Sequence, residues 1–294
     1  MAGKGFCPIP HNFRDQVWLG VGAAVGLYAG YKLASSRPSK IGIDGLHLKY
    51  WAGRGLMEIP RQMLAINGVF PGQYTDGRYT TEVPNAHGFL PMKSVESTLS
   101  ANLGRMPVCE VGGQSVGQST AINYFIAAEL DMLGDSTMET AQILSIQETL
   151  SEMKQAVRAI VDYPNPPTEE QLEMLFSDSA PDRSPAKADP AGRGKRYFKW
   201  FLGRLEYLVG SDGFAVGNRL SLADILLRHT LAENLPDSQC GKPDIASWRR
   251  EPLMSAKRTA KLLEEFPKLK RIVENVEGQP GLARWLQIRG VQMF

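Results

Sequence analysis

The chain has 294 residues, enough for about two domains at roughly 150 residues each, and its 43% hydrophobic and 22% charged residues are ordinary globular values that exclude a disordered, collagen-like or polytopic membrane chain. Lysine and arginine total 33 against 31 acids, a net charge of +2 with no basic tract, which argues against a nucleic-acid partner. Three scattered cysteines, Cys7, Cys109 and Cys240, make neither a CxxC nor a zinc pattern with the four histidines, so the sequence predicts no metal site and fits a reducing compartment.

After an N-terminal segment at 1–16, an apolar run begins at Val17 and ends at Ala34, interrupted only by Lys32 and bordered by Trp18, Tyr28 and Tyr31. Its length is about one bilayer crossing, and its aromatic ends suit a retained anchor better than a cleaved signal. One transmembrane helix with the start of a linker is therefore predicted at 17–36. Gly22, Gly26 and Gly30 recur every fourth residue and bare one face of that helix, where a partner helix can approach closely. Lys4 and Arg14 precede the run, whereas Lys32, Arg37 and Lys40 follow it. That bias places the C-terminal bulk on the cytosolic or matrix side, the mitochondrial inner membrane being one such setting.

From residue 41 the pattern becomes that of an α/β unit. A short strand at 47–51 leads through Gly53 and Gly55 into a helix with Leu56, Ile59, Met63 and Leu64 on one face and Pro60 near its first turn, where a missing donor costs little. The polar stretch 71–86 shows no clear period. Strand character returns at 106–111, a Gly112-Gly113 turn follows, Val116 begins another strand, and Ser119 opens a helix with apolar residues at Ile122, Phe125, Ile126 and Leu130. The rest is almost entirely helical in pattern, with helices predicted at 137–162, 196–209, 221–234, 254–265, 269–276 and 282–288. Ser221 and Asp224 form a Ser-x-x-Asp capping pattern. Two stretches, near 163–194 and 235–255, read as insertions. The domains are thus 41–134, α/β, and 136–294, all helical.

Four blocks carry a family resemblance. Tyr50-Trp51-Ala52-Gly53-Arg54-Gly55-Leu56-Met57-Glu58 resembles the first strand, loop and helix of cytosolic glutathione S-transferases, especially the tyrosine-dependent, sigma-like classes. The block Arg105 to Gly113 is similar to the strand that carries the family's cis proline, here Met106-Pro107. Gln118-Ser119-Thr120-Ala121-Ile122 is similar to the family's Gln-Ser-x-Ala-Ile helix start, and Val216-Gly217-Asn218-Arg219-Leu220-Ser221-Leu222-Ala223-Asp224 to a segment of its helical domain. The resemblance spans most of 41–289 and leaves the first 40 residues outside it.

It implies a thioredoxin-like glutathione-binding domain followed by a helical glutathione S-transferase domain, with glutathione as co-substrate and an apolar electrophile between the two. The catalytic tyrosine falls on Tyr50. The glutathione-binding residues it implies are Arg54, Met106, Pro107, Gln118 and Ser119, with Lys93 as the substitute where the closest alignment places Glu96 instead of the family's lysine. Residue 144 is leucine where sigma-like dimers place a cross-subunit aspartate. Physical chemistry supports two of these roles: a phenolic O–H beside a thiol that titrates near ~8.5 favours the nucleophilic thiolate, and a helix N-terminus at Ser119 offers free N–H groups to a carboxylate. Two functions follow as expectations: a membrane-anchored transferase or isomerase, homodimeric or in a larger membrane complex, or an inactive transferase-like accessory subunit of an organellar complex.

Overall fold

The computed structural model describes residues 42–79, 97–158, 160–161, 165–177, 197–241 and 247–292. The chain divides into two units, Met1–Lys40 and Ile41–Phe294. The first lies outside the described residues, and with it the apolar run from Val17 to Ala34 and its Gly22, Gly26, Gly30 face; Lys93 lies outside them as well. Among the described residues no helix is long and apolar enough to cross a membrane.

Four strands, β1 (His47–Trp51), β2 (Thr75–Tyr79), β3 (Val108–Val111) and β4 (Gln114–Gly117), form one sheet in the order β2-β1-β3-β4. β1 runs parallel to β2 and antiparallel to β3, and β3 pairs antiparallel with β4. A parallel pair needs a crossover, and helix α1 (Glu58–Ile66) supplies it; the hairpin β3-β4 needs only the Gly112-Gly113 turn, both glycines taking positive φ. β4 leads directly into α2 (Ser119–Glu129). β2 arises within the stretch that lacks a period: Thr-Asp-Gly-Arg-Tyr has no alternating apolar face, and its place comes from the five-rung ladder to β1.

The helices that follow are α3 (Thr137–Arg158), α4 (Glu169–Phe176), α5 (Phe198–Leu208), α6 (Leu222–Ala232), α7 (Ala256–Leu263), α8 (Pro267–Glu277) and α9 (Pro280–Ile288). α6 is the axis of this half, buried along almost its whole length and packed against α1, α3 and α8. Its start is fixed by Asp224, whose carboxylate accepts from the Ser221 backbone N–H at 2.8 Å, the Ser221 hydroxyl at 2.6 Å and the Ala215 N–H at 2.7 Å. Because the helix end is buried, these donors have no water to turn to. Ser221→Ala is expected to lower the unfolding free energy by about 1 kcal/mol, read from the urea midpoint; an unchanged midpoint would show that the cap is supplied elsewhere.

α1 is enclosed on all sides, with every residue from Glu58 to Ala65 buried, because it lies between α2 in its own half and α6 and α9 from the helical half. α9 comes close enough that a Cβ added to Gly281 would stand 2.1 Å from the Ala65 carbonyl oxygen. That approach brings Trp285 and Arg289 of the C-terminal region onto Glu58.

Candidate active site

The β ladders gather the sequence-predicted residues at one end of the sheet. Lys49 pairs with Val108, and Val108 with Gly117. Continuing each antiparallel ladder by one step sets Pro107 between Tyr50 on one side and Gln118 on the other. The Met106–Pro107 peptide bond is cis. Asn102 ties this end together: its side-chain amide donates to the Pro107 carbonyl at 2.9 Å, and its backbone lies so close to Gly117 that an added Cβ there would meet the Asn102 Cα at 2.8 Å. Gln118, exposed at the N-cap of α2, has φ 67° and ψ 122°, a conformation unusual for a residue with a side chain. It thereby turns the strand into the helix whose first residue is Ser119, leaving the N-terminal N–H groups of α2 directed at the same end of the sheet.

Tyr50 is 7% exposed, and its phenol lies over Gly55: a Cβ added there would be 2.4 Å from the hydroxyl oxygen. Gly55 also has φ +41°, so this position favours glycine twice over. Gly55→Ala is expected to lower the unfolding free energy by about 1–3 kcal/mol, read by urea titration. A loss below about half a kcal/mol would mean that the phenol moves aside freely. Burial raises the Tyr50 pKa, and the backbone N–H of Leu56 together with the charge of Arg61 acts against that rise. At neutral pH Tyr50 therefore keeps its proton and acts as a donor.

The loop that carries Gly55 is held from beneath by Arg61, which is fully buried on α1. Its guanidinium donates to the Gly53 carbonyl at 2.7 Å and to Asp76 of β2 at 3.1 and 2.9 Å. Arg54 points away from the sheet into the helical half, where its Nη1 is 3.4 Å from Glu233 just past the end of α6. The Glu233 carboxylate also pairs with Arg228 and lies 2.5 Å from Arg289 and 3.2 Å from the Gln62 amide. Burial alone would raise its pKa, but the charges of Arg228, His229 and Arg289 outweigh it and hold the carboxyl at about 2. Glu58, equally buried, accepts from Trp285 Nε1 at 2.8 Å and Arg289 at 3.1 Å. Buried ions joined across both halves fix the geometry of the loop at Tyr50.

The glutathione S-transferase C-terminal domain family matches residues 173–289. Probable glutathione S-transferase 5 of Caenorhabditis elegans is 26% identical over 253 residues, covering 84% of this chain and 98% of its own length. Glutathione S-transferase alpha-3 of Rattus norvegicus is 29% identical over 243 residues, covering 81% and 90%. A solved structure of a major nematode-specific glutathione S-transferase from C. elegans superposes with a TM-score of 0.57 at 25% identity, over 85% of this chain and 99% of that one. Over most of its length the chain is similar to cytosolic-type glutathione S-transferases, and residues 173–289 match the C-terminal domain of that family.

Sequence reading alone missed Arg61, Asp76, Glu233, Trp285 and Arg289, the residues that hold the loop. Only Arg61 carried a local signal, a charged residue inside the apolar periodicity of α1 and three positions after Glu58. The partners of Arg54 and Glu58 lie 179 and 227 residues away. Cys109 is fully buried, and burial pushes its thiol pKa up to about 12, so it supplies no thiolate near neutral pH.

Proposed function

We propose that the protein binds glutathione across the Tyr50, Pro107 and Gln118 end of its sheet and transfers the thiol to an electrophile, with Tyr50 as the catalytic residue. The observation that carries this reading is the single row that the ladders make of Tyr50, Pro107 and Gln118, flanked by the N-terminus of α2. In it the cysteinyl backbone of glutathione pairs with Met106, as a peptide adds to a sheet edge, and the γ-glutamyl carboxylate is held by Gln118, Ser119 and the free N–H groups of α2. Lys93 is the candidate partner for the glycyl carboxylate. Arg54 contributes electrostatically from its place beside Glu233.

The chemistry follows from acid strength. A phenol that stays protonated donates its O–H to sulfur and stabilises the thiolate, and a hydrogen bond to a charged acceptor is worth about 1.5–3 kcal/mol, or one to two pKa units off a thiol of ~8.5. The thiol proton goes to water. The sulfur lone pair then forms the C–S bond to the electrophilic carbon, while either a leaving group departs with its bonding electron pair or the carbon's π bond opens and the adjacent atom takes a proton from water. Calorimetric titration with glutathione, paired with a thiol-conjugation assay, tests the reading; binding below millimolar concentration and turnover above the solution rate are expected. Failure to bind at millimolar concentration would remove it and leave the accessory-subunit role in its place.

The same reading includes a membrane anchor from Val17 to Ala34, supported by the length, aromatic ends and flanking charges of that run. Recovery of the full chain in the alkaline-carbonate supernatant of a membrane preparation would contradict it.

A further inference from the structure

We propose that Arg78 and Gln292 are positioning residues for Tyr50, the outer links of a hydrogen-bond chain that ends on the loop beside the phenol. This rests on the transferase reading above and extends its machinery to the segment just past α9.

The chain starts at the loop. The Gly53 carbonyl accepts from Arg61 Nη1 at 2.7 Å, and Arg61 donates through Nε and Nη2 to Asp76 Oδ1 at 3.1 and 2.9 Å. The other oxygen, Asp76 Oδ2, accepts from Arg78 Nε at 2.8 Å, and Arg78 Nη1 donates to Gln292 Oε1 at 3.1 Å. Gly53, Arg61, Asp76, Arg78 and Gln292 thus follow one another with no link longer than 3.1 Å. The strand supplies the alignment. Asp76 and Arg78 stand two apart on β2, so their side chains share one face, and their register partners on β1 are Leu48 and Tyr50.

The outer end of the chain is firmly seated. Gln292 is fully buried; its backbone N–H donates to the Gln239 carbonyl and its carbonyl accepts from the Gly241 N–H, both at 2.7 Å. Its side-chain Nε2 donates to the carbonyls of Arg289 at 2.7 Å and Gly290 at 3.1 Å. Those carbonyls fix which end of the amide meets Arg78, since a flipped amide would set donor against donor and acceptor against acceptor. Gln239 in turn donates to the Leu286 carbonyl at 2.6 Å and accepts from Arg289 Nε at 2.9 Å. The stretch 235–255, an insertion by its sequence, therefore has a use: through Gln239 and Gly241 it pins Gln292 where Arg78 needs an acceptor.

The planar Arg78 fork spans Asp76 and Gln292 and so aims the carboxylate, leaving Oδ1 for Arg61. Without Gln292 the Arg78 guanidinium, on a side chain 23% exposed, turns toward water, and Asp76 loses its fixed orientation. Arg61 then loses its aim at the Gly53 carbonyl. The loop from Gly53 to Gly55 touches the phenol, so its displacement moves the Tyr50 hydroxyl relative to sulfur. A misplacement of about 1 Å from a distant change can cost as much as about 100-fold in rate.

The test uses the full chain with bound glutathione, whose thiolate absorbance is titrated against pH at a temperature where circular dichroism shows each protein folded. Arg78→Met is expected to raise the pKa of the bound thiol by about one unit and lower kcat/KM about tenfold; Gln292→Met, about half a unit and threefold. Gln292→Met changes no charge, so its shift reports position alone. Arg78→Lys keeps the charge and loses the planar fork, is expected to behave like Gln292→Met, and serves if that buried substitution does not fold. In the Arg78→Met background Gln292→Met is expected to add nothing, because both act through one chain. A thiol pKa unmoved in Gln292→Met and Arg78→Lys, or shifts that simply add in the double variant, overturns the proposal. The two failures are distinguishable: bound glutathione with one thiol pKa in every protein sinks this inference alone, whereas no glutathione bound by the wild type sinks the transferase reading and this inference with it.

Discussion

Tyr50→Phe is expected to lower kcat/KM for thiol conjugation by about 100-fold, the upper end of what one hydrogen bond to a charged sulfur provides. The substitution removes one oxygen and keeps the ring that packs over Gly55, so loss of fold does not confuse the result. A pH profile makes the cause visible. In the wild type the phenol lowers the pKa of the bound thiol, so the rate rises through a pH below the ~8.5 of free thiol; in the variant the rise moves up toward that value. Thiolate absorbance of bound glutathione should move in step with the rate. Profiles that coincide for wild type and variant would show that Tyr50 does not act on the sulfur.

Glu233→Gln is expected to destabilise the folded protein by about 3–5 kcal/mol at neutral pH, because it leaves Arg228, Arg289 and Arg54 buried around an uncharged amide. The pH dependence has a definite sign. Glu233 is held at about 2 against an ordinary 4.5, so its contribution is fully present above 4.5 and is lost as the pH falls toward 2. That depression corresponds to roughly 3 kcal/mol. Urea titrations of wild type and variant should therefore differ most at about pH 7 and converge with acid. A constant gap from about pH 7 to pH 3 would show that the carboxylate contributes through shape and not through charge.

Much of the architecture was legible because it is written locally. The strand at 47–51, the helix start at Ser119 and the capping pair Ser221 and Asp224 each depend on residues within one or two turns of each other, and each stands in the structure where its pattern places it. β2 was not legible, since Thr75–Tyr79 becomes a strand through its partner, and Asp76 acquires its importance from Arg61 on the preceding helix. The gathering of Tyr50, Pro107 and Gln118 was implied by resemblance, and the ladder registers supply its physical cause. The surroundings of Arg54 were hidden for another reason: a guanidinium suits a carboxylate from a ligand or from the chain itself, and only folding reveals that Glu233 has taken one side of it. Lys93 and Glu96 lie outside the described residues, so their part in the site rests on the sequence alone.

The enclosure of α1 bears on how this protein can be taken apart. Glu58, Arg61 and Gln62 belong by sequence to the sheet half, yet Glu58 and Gln62 find partners in Trp285, Arg289 and Glu233 of the helical half. A fragment ending near residue 134 would present a charged helix face with no protein to meet it, and a chimera with another helical half would have to reproduce those three positions. Here the junction between halves is part of the interior, and swapping halves amounts to redesigning a core.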